Sequence, residues 1–197
     1  HSQKLSQLGQ CDLIIDATAN TDAFNMLAAV AKYYGKPMIW VEVFTGGIGG
    51  FVGRSRPGID PDVQSMRRIY HAFTAENPSL EIPLAVENYT GIVDDSTLWQ
   101  ATDADVSVIA AHVARFALDT LGSDSPSIFP YSMYLIGLQK AWVFTAPFHT
   151  IPISTDGHID NQSENLENQQ MVAAAIEFLR VLLSEHGDND SGSSKDS

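Results

Sequence analysis

The chain has 197 residues, 44% hydrophobic and 18% charged, with 24 acidic against 11 basic residues and a formal net charge of −13. That is ordinary globular composition, and the length suits one domain with a buried core. The acidity excludes the clustered Lys and Arg that nucleic acid or an anionic membrane would need, so neither is an expected partner. One nucleotide, held by backbone N–H groups and a metal ion, stays compatible with it.

Cys11 is the only cysteine, which leaves no internal disulfide and no paired-cysteine zinc site. No apolar run reaches the ~18 residues of a membrane span, and no signal-peptide pattern precedes the first strand. A soluble, cytoplasmic protein is the expectation.

His1 to Gln10 is a polar lead-in without an initiator methionine, and it runs straight into an apolar strand. That pattern is expected of a chain that begins partway through a domain. Cys11 opens the strand and reads as a small buried hydrophobe. Leu13, Ile14 and Ile15 form a short apolar run that ends on Asp16. Asn20 or Thr21 can cap the helix that follows, with Phe24, Leu27, Ala28 and Ala31 at helical spacing. Gly35 stops this helix, and Pro37 opens a strand from Met38 to Phe44. An acid at the carboxyl end of a buried parallel strand faces the crevice where open α/β sheets bind ligands, which singles out Asp16.

Thr45-Gly46-Gly47-Ile48-Gly49-Gly50 lies between that strand and the strand-like run Phe51 to Arg54. No G-x-G-x-x-G can be read there, because Val52 stands where the third glycine belongs and a strand follows instead of a helix. The glycines therefore read as a hairpin that lets a neighbour pack closely. Arg56-Pro57-Gly58 makes a turn, and Asp60 with Pro61 starts a helix through about Phe73, with Val63, Met66, Ile69, Tyr70 and Phe73 facing inward. Arg67 and Arg68 lie on that helix as a solvated face or an anion contact.

Glu76 to Leu98 is irregular, as functional or mobile loops of that length are. Thr102-Asp103-Ala104-Asp105 caps the clearest helix of the chain, which ends near Gly122. It carries one stripe of Val106, Ile109, Ala110, Val113, Phe116, Ala117 and Leu121, with His112 packed at its edge. Tyr131 to Leu138 and Ala141 to Ser154 read as an antiparallel strand pair joined near Gln139-Lys140, with Trp142, Phe144 and Phe148 to bury. Ser163 can cap a last amphipathic helix with Met171, Val172, Ala175, Ile176, Leu179 and Leu182 on one face. The tail from residue 188 is polar and of low complexity, as disordered segments are.

Taken in order, Asp16-Ala17-Thr18-Ala19-Asn20, the strand with Trp40-Val41, the glycine cluster and Arg56-Pro57-Gly58 resemble one family. This is the second half of the ThiF/MoeB/HesA group, the fold of ubiquitin-activating enzymes, in its bacterial form. The segment from Ala101 to Leu121 is similar to the helix after that family's crossover loop. The resemblance implies an α/β, Rossmann-like ThiF-type fold (its C-terminal half) over residues 1–187, a mixed sheet with an antiparallel strand pair and flanking helices. It implies Mg-ATP as cofactor, adenylation of the C-terminal glycine of a small ubiquitin-like protein, and a homodimer. By the same resemblance Asp16 would be the catalytic acid that holds the metal. Thr18 and Asn20 would orient it or touch the nucleotide, unless they serve only to open and cap the helix.

The sequence also departs from the family. Ala19 stands where a second acid is usual, no P-C-x-x-C follows Pro57-Gly58, and Glu76 to Gln100 holds no cysteine for a thioester. The family's glycine-rich nucleotide loop belongs to a first half that does not precede residue 12, so activity would need that missing N-terminal half. Two other readings stand beside the adenylating one. One is an inactive module of the same fold that binds a ubiquitin-like partner or a second copy. The other is a different Rossmann-like domain acting on a nicotinamide or methyl donor, against which the missing G-x-G-x-x-G counts.

Overall fold

A computed structural model describes residues 2–78, 90–92, 98–122 and 126–156. It is an α/β arrangement around a five-stranded mixed sheet. The strands are β1 (Ile14–Asp16), β2 (Met38–Val43), β3 (Gly49–Ser55), and β6 (Met133–Gly137) and β7 (Thr150–Pro152), in the order β1-β2-β3-β6-β7. Only β1 and β2 are parallel, and the remaining neighbours are antiparallel. A separate hairpin joins β4 (Thr90–Ile92) and β5 (Leu98–Gln100), within the stretch read from the sequence as irregular.

Helices cover both faces. Helix α1 (Ser2–Gly9) packs on α2 (Thr21–Tyr34), and α2 and α3 (Val63–Glu76) cover one face. Ile14, Met38, Trp40 and Phe51 point into that layer and meet Phe24, Met66 and Tyr70. Helix α4 (Asp103–Leu121) covers the other face, where Ile39, Val52 and Ile136 meet Ile109, Val113 and Phe116. The two cores follow from strand alternation, which sends neighbouring residues of β2 to opposite faces.

The helix ends show why these segments fold where they do. Asn20 is the cap of α2, its side chain accepting from the Ala23 N–H at 2.9 Å, and Thr21 is the first helical residue. Gly35 closes α2 in the left-handed region at φ 61°, where a side chain would be strained. Thr102 and Asp105 form a full capping box on α4. Gly47 abuts the Asp105 carboxylate so closely that a Cβ there would collide with it. The glycine turn Thr45–Gly47 thus seats the start of α4 against the sheet, as the close-packing reading of these glycines expects.

Five expectations are corrected. Residues 2–9 form a helix where the sequence reads as a polar lead-in. Cys11 is exposed and lies outside β1, in the turn where the Cys11 N–H donates to the Leu8 carbonyl at 3.2 Å. Helix α3 is capped by Asp62, not Asp60, because the Asp60 carboxylate is already bound by Arg56 and Ser132. The strands β6 and β7 pair as expected but are shorter. Between them Trp142 and Phe148 take positive φ values of 51° and 63°, which ends the ladder. Phe144 is buried, but Phe148 is exposed. The last helix and the tail lie outside the described residues.

Arg54 on β3 is fully buried and reaches the carboxyl end of α4. Its guanidinium donates to Asp119 at 2.5 Å, to Thr120 at 3.3 Å and to Ser127 at 3.0 Å, and lies over the Phe116 ring at 4.8 Å. Arg56, two residues on, forms an ion pair with Asp60 at 2.8 Å that shapes the Pro57-Gly58 turn. Both arginines are thereby committed to holding the fold. No described helix is long and apolar enough to cross a membrane.

Candidate functional site

The parallel β1–β2 pair has α2 as its crossover, and open α/β sheets bind their ligands at the carboxyl ends of such strands. Asp16 is the last residue of β1 and is 4% exposed. One carboxylate oxygen, Oδ1, accepts from the Thr18 N–H at 2.9 Å and from the Thr18 hydroxyl at 2.7 Å. No further donor among the described residues reaches the carboxylate. Thr18 Oγ1 in turn accepts from the Asn20 N–H at 3.3 Å, and Asn20 caps α2. Between them Ala19 stands at φ 50°, a conformation unusual for a residue with a side chain. The three candidate residues are therefore joined in one chain of local bonds: Thr18 orients Asp16, while the Asn20 side-chain oxygen is engaged with the helix.

Register brings a second acid to this place. Asp16 pairs with Trp40, and Glu42 lies two residues further along β2 on the same face. The Tyr70 hydroxyl of α3 donates to Glu42 Oε2 at 2.9 Å, and the Tyr70 ring stacks on Phe51 at 4.1 Å. Burial raises the Glu42 carboxyl above its ordinary range, the Tyr70 hydrogen bond and Arg67 oppose this, and the charge of Asp16 adds to it. Tyr70 is raised well above an ordinary phenol, by burial first and then by Glu42.

Arg67 lies over the Phe24 ring at 4.2 Å and reaches the Thr21 hydroxyl at 3.4 Å, which puts a cation at the start of α2. It makes no ion pair among the described residues. Arg68 instead bonds Ser65 on the exposed side. His71 is pushed below the ordinary imidazole value by burial and by Arg67.

Glu42 and Tyr70 were absent from the site as read in sequence. The signal was an acid at an inward position of the otherwise apolar Met38–Val43, whose meaning depends on pairing with β1. A cavity of about 200 Å³ lies elsewhere, at the opposite end of the sheet, among Lys32, Lys36, Ser55, Asp60 and Asp62. It does not touch Asp16.

The Glu42 environment carries a prediction. A carboxyl raised by folding adds stability that is complete below its unfolded value, near 4.5, and lost as pH rises through the folded value. Glu42→Gln keeps an acceptor for Tyr70 and removes the charge. Its melting temperature should exceed that of the wild type at neutral pH and converge with it at about pH 4. Equal melting curves at both pH values would show that Glu42 ionises without penalty.

Comparison with models of known protein families and with curated proteins finds no match for this chain.

An Mg²⁺ ion suits Asp16 chemically. Such an ion is held by one or two carboxylates, with phosphate oxygens and water completing the shell. Asp16 offers one oxygen fixed by Thr18 and one that meets no donor among the described residues. Among the described residues no group of three or more His, Cys, Asp or Glu could hold a metal by itself. A site here would depend on ligands from the nucleotide.

Proposed function

We propose that this chain carries the metal-binding wall of a Mg-ATP site in a ThiF-like adenylating protein, which activates the carboxyl terminus of a small ubiquitin-like protein. The observation that carries the reading is the buried Asp16 carboxylate at the end of the parallel β1–β2 pair, oriented by Thr18, with a second oxygen that meets no donor among the described residues. The order of motifs from Asp16 to Gly58 supports it, and so does Arg67 at the start of α2, where a phosphate oxygen would meet positive charge. Bound Mg²⁺ would supply charge neutralisation as the terminal carboxylate attacks the α-phosphate and pyrophosphate leaves. Asp16 anchors, Thr18 keeps the anchor in one rotamer, and Asn20 fixes the loop by capping α2.

The alternative is an inactive module of the same fold that binds a ubiquitin-like partner or a second copy. It draws on Ala19, which places a methyl group where the family usually carries an acid.

ATP–pyrophosphate exchange by the full-length protein, with its ubiquitin-like substrate, separates the two. The enzyme reading expects exchange that falls about a hundredfold in Asp16→Asn, whose side-chain oxygen still accepts from Thr18 but carries no charge. Robust exchange unchanged by this substitution would remove the metal role of Asp16. No exchange at all would favour the module.

A further inference from the structure

We propose that the α4 side of β1 is a docking groove, and that its occupant is the chain's own C-terminal segment, residues 171–183, laid as a helix alongside α4. The docking does not depend on any role for Asp16.

The groove follows from where α4 lies. Ile15 of β1 pairs with Ile39 of β2, so both side chains point to the α4 face. Ile39 is fully buried in the α4 layer, whereas Ile15 is 47% exposed. Among the described residues the helix layer therefore stops at β2 and leaves β1 open on this side. Helix α4 is fixed by its opposite flank, where Phe116 meets Phe129 and Tyr134 of β6, and Asp119 holds Arg54. The flank turned toward β1 carries Val106, Ala110, Ala114 and Leu121 at helical spacing, and all four are exposed. An apolar helix flank beside an uncovered apolar strand is the kind of groove that a further helix fills.

The occupant is indicated by the length and composition of the chain that follows Asp156. Residues 171–183 lie outside the described residues, and in sequence they are apolar at every position except Glu177 and Arg180. A helix with so little polar surface is stable in water only when most of its sides are covered. Its length of about 20 Å matches the roughly 22 Å from Val106 to Leu121.

The path is short. The Ile153 N–H donates to the Met133 carbonyl at 3.0 Å, and Met133 pairs with Gly53. The chain therefore leaves the sheet at the end where Asp119 of α4 meets Arg54. From β7 across to β1 is about 19 Å, and residues 157–170 span roughly 45 Å when extended. Entering from that end, the segment runs antiparallel to α4, toward the end of β1 that carries Asp16. Its tether gives it a far higher effective concentration at the groove than a separate molecule has.

The test is hydrogen exchange of the full chain in dilute solution, read by mass spectrometry, with the oligomeric state followed by sedimentation. In the wild-type monomer, residues 171–183 should exchange at least about tenfold more slowly than an unstructured peptide. Ala110→Glu with Ala114→Lys puts charge on the exposed flank of α4 as a pair that suits a helix, and should remove that protection while β2 and β3 keep theirs. Ile176→Glu with Leu179→Glu leaves every described residue unchanged and should lower the melting temperature by several degrees. Protection that survives the α4 variant would place the segment elsewhere and overturn the proposal. Fast exchange in the wild type, or a melting temperature unmoved by the second variant, would overturn it too. Protection found only at concentrations where the protein dimerises would assign the groove to a second copy instead.

Discussion

Asp119→Asn should destabilise the protein by about 3–5 kcal/mol, read as a drop in the denaturant midpoint with little change in slope. The reason is what it leaves behind. Arg54 is fully buried, and Asp119 is the only carboxylate among the described residues that it contacts. Its Nε already lacks a partner. Removing the charge at Asp119 strands a guanidinium between Phe116 and Phe129, at 4.8 and 6.0 Å from their ring centroids.

Replacing both ends, Arg54→Met with Asp119→Leu, should recover most of the loss, since a buried ion pair exchanged for apolar packing is often neutral. A double variant no better than Asp119→Asn would mean that the pair itself, not the unpaired charge, holds β3 to α4. Burial alone would raise the Asp119 carboxyl. Hydrogen bonds from Ser127, Arg54 and the Ile128 N–H outweigh burial and, with the Arg54 charge, lower it to about 2. A depressed acid stabilises the fold fully above its unfolded value and loses that contribution as pH falls through the folded value. Acid unfolding of the wild type should therefore include a component between about pH 4 and pH 2 that is absent from the double variant.

Trp40→Ala should cost about 3–5 kcal/mol as well, for a different reason. Trp40 is the largest fully buried side chain of the described residues, 2% exposed. It meets Phe24 edge-on at 6.0 Å and Phe51 at 5.3 Å. Its ring lies so close to Gly53 that a Cβ there would collide with it. Alanine leaves a cavity under the strand that carries Glu42, and the close-packed surroundings relax only partly. With stability in the usual range of about 5–15 kcal/mol, the variant should sit near the edge of folding. Trp40→Phe, which fills most of the space, should lose clearly less. Equal losses for the two would mean that the indole, not the volume, is required.

How far the sequence could be read follows from the range of the interactions involved. Helices α2 and α4 were legible because their signals are local: Asn20 and Gly35 bracket the first, and Thr102 with Asp105 brackets the second. The place of Asp16 at the end of β1 was legible for the same reason, since it follows an apolar run and precedes a capped helix. The start of α3 was misplaced because Asp60 and Asp62 look alike in sequence, and only the long-range Ser132 hydroxyl shows that Asp60 is already engaged. The β6–β7 pair was drawn too long because nothing local reveals that Trp142 and Phe148 turn to positive φ.

Glu42 is the most instructive case. An acid in a strand says little until pairing with β1 puts it on the face of Asp16 and α3 supplies Tyr70. The sequence showed Asp16 and its loop; the sheet places Glu42 on the same face.

The most direct test of the central claim is a titration of the full-length protein with ATP, with and without Mg²⁺, for the wild type and Asp16→Asn. The account predicts binding that requires Mg²⁺ and weakens about a hundredfold in the variant. Binding that is independent of Mg²⁺, or equal in the two proteins, would contradict it.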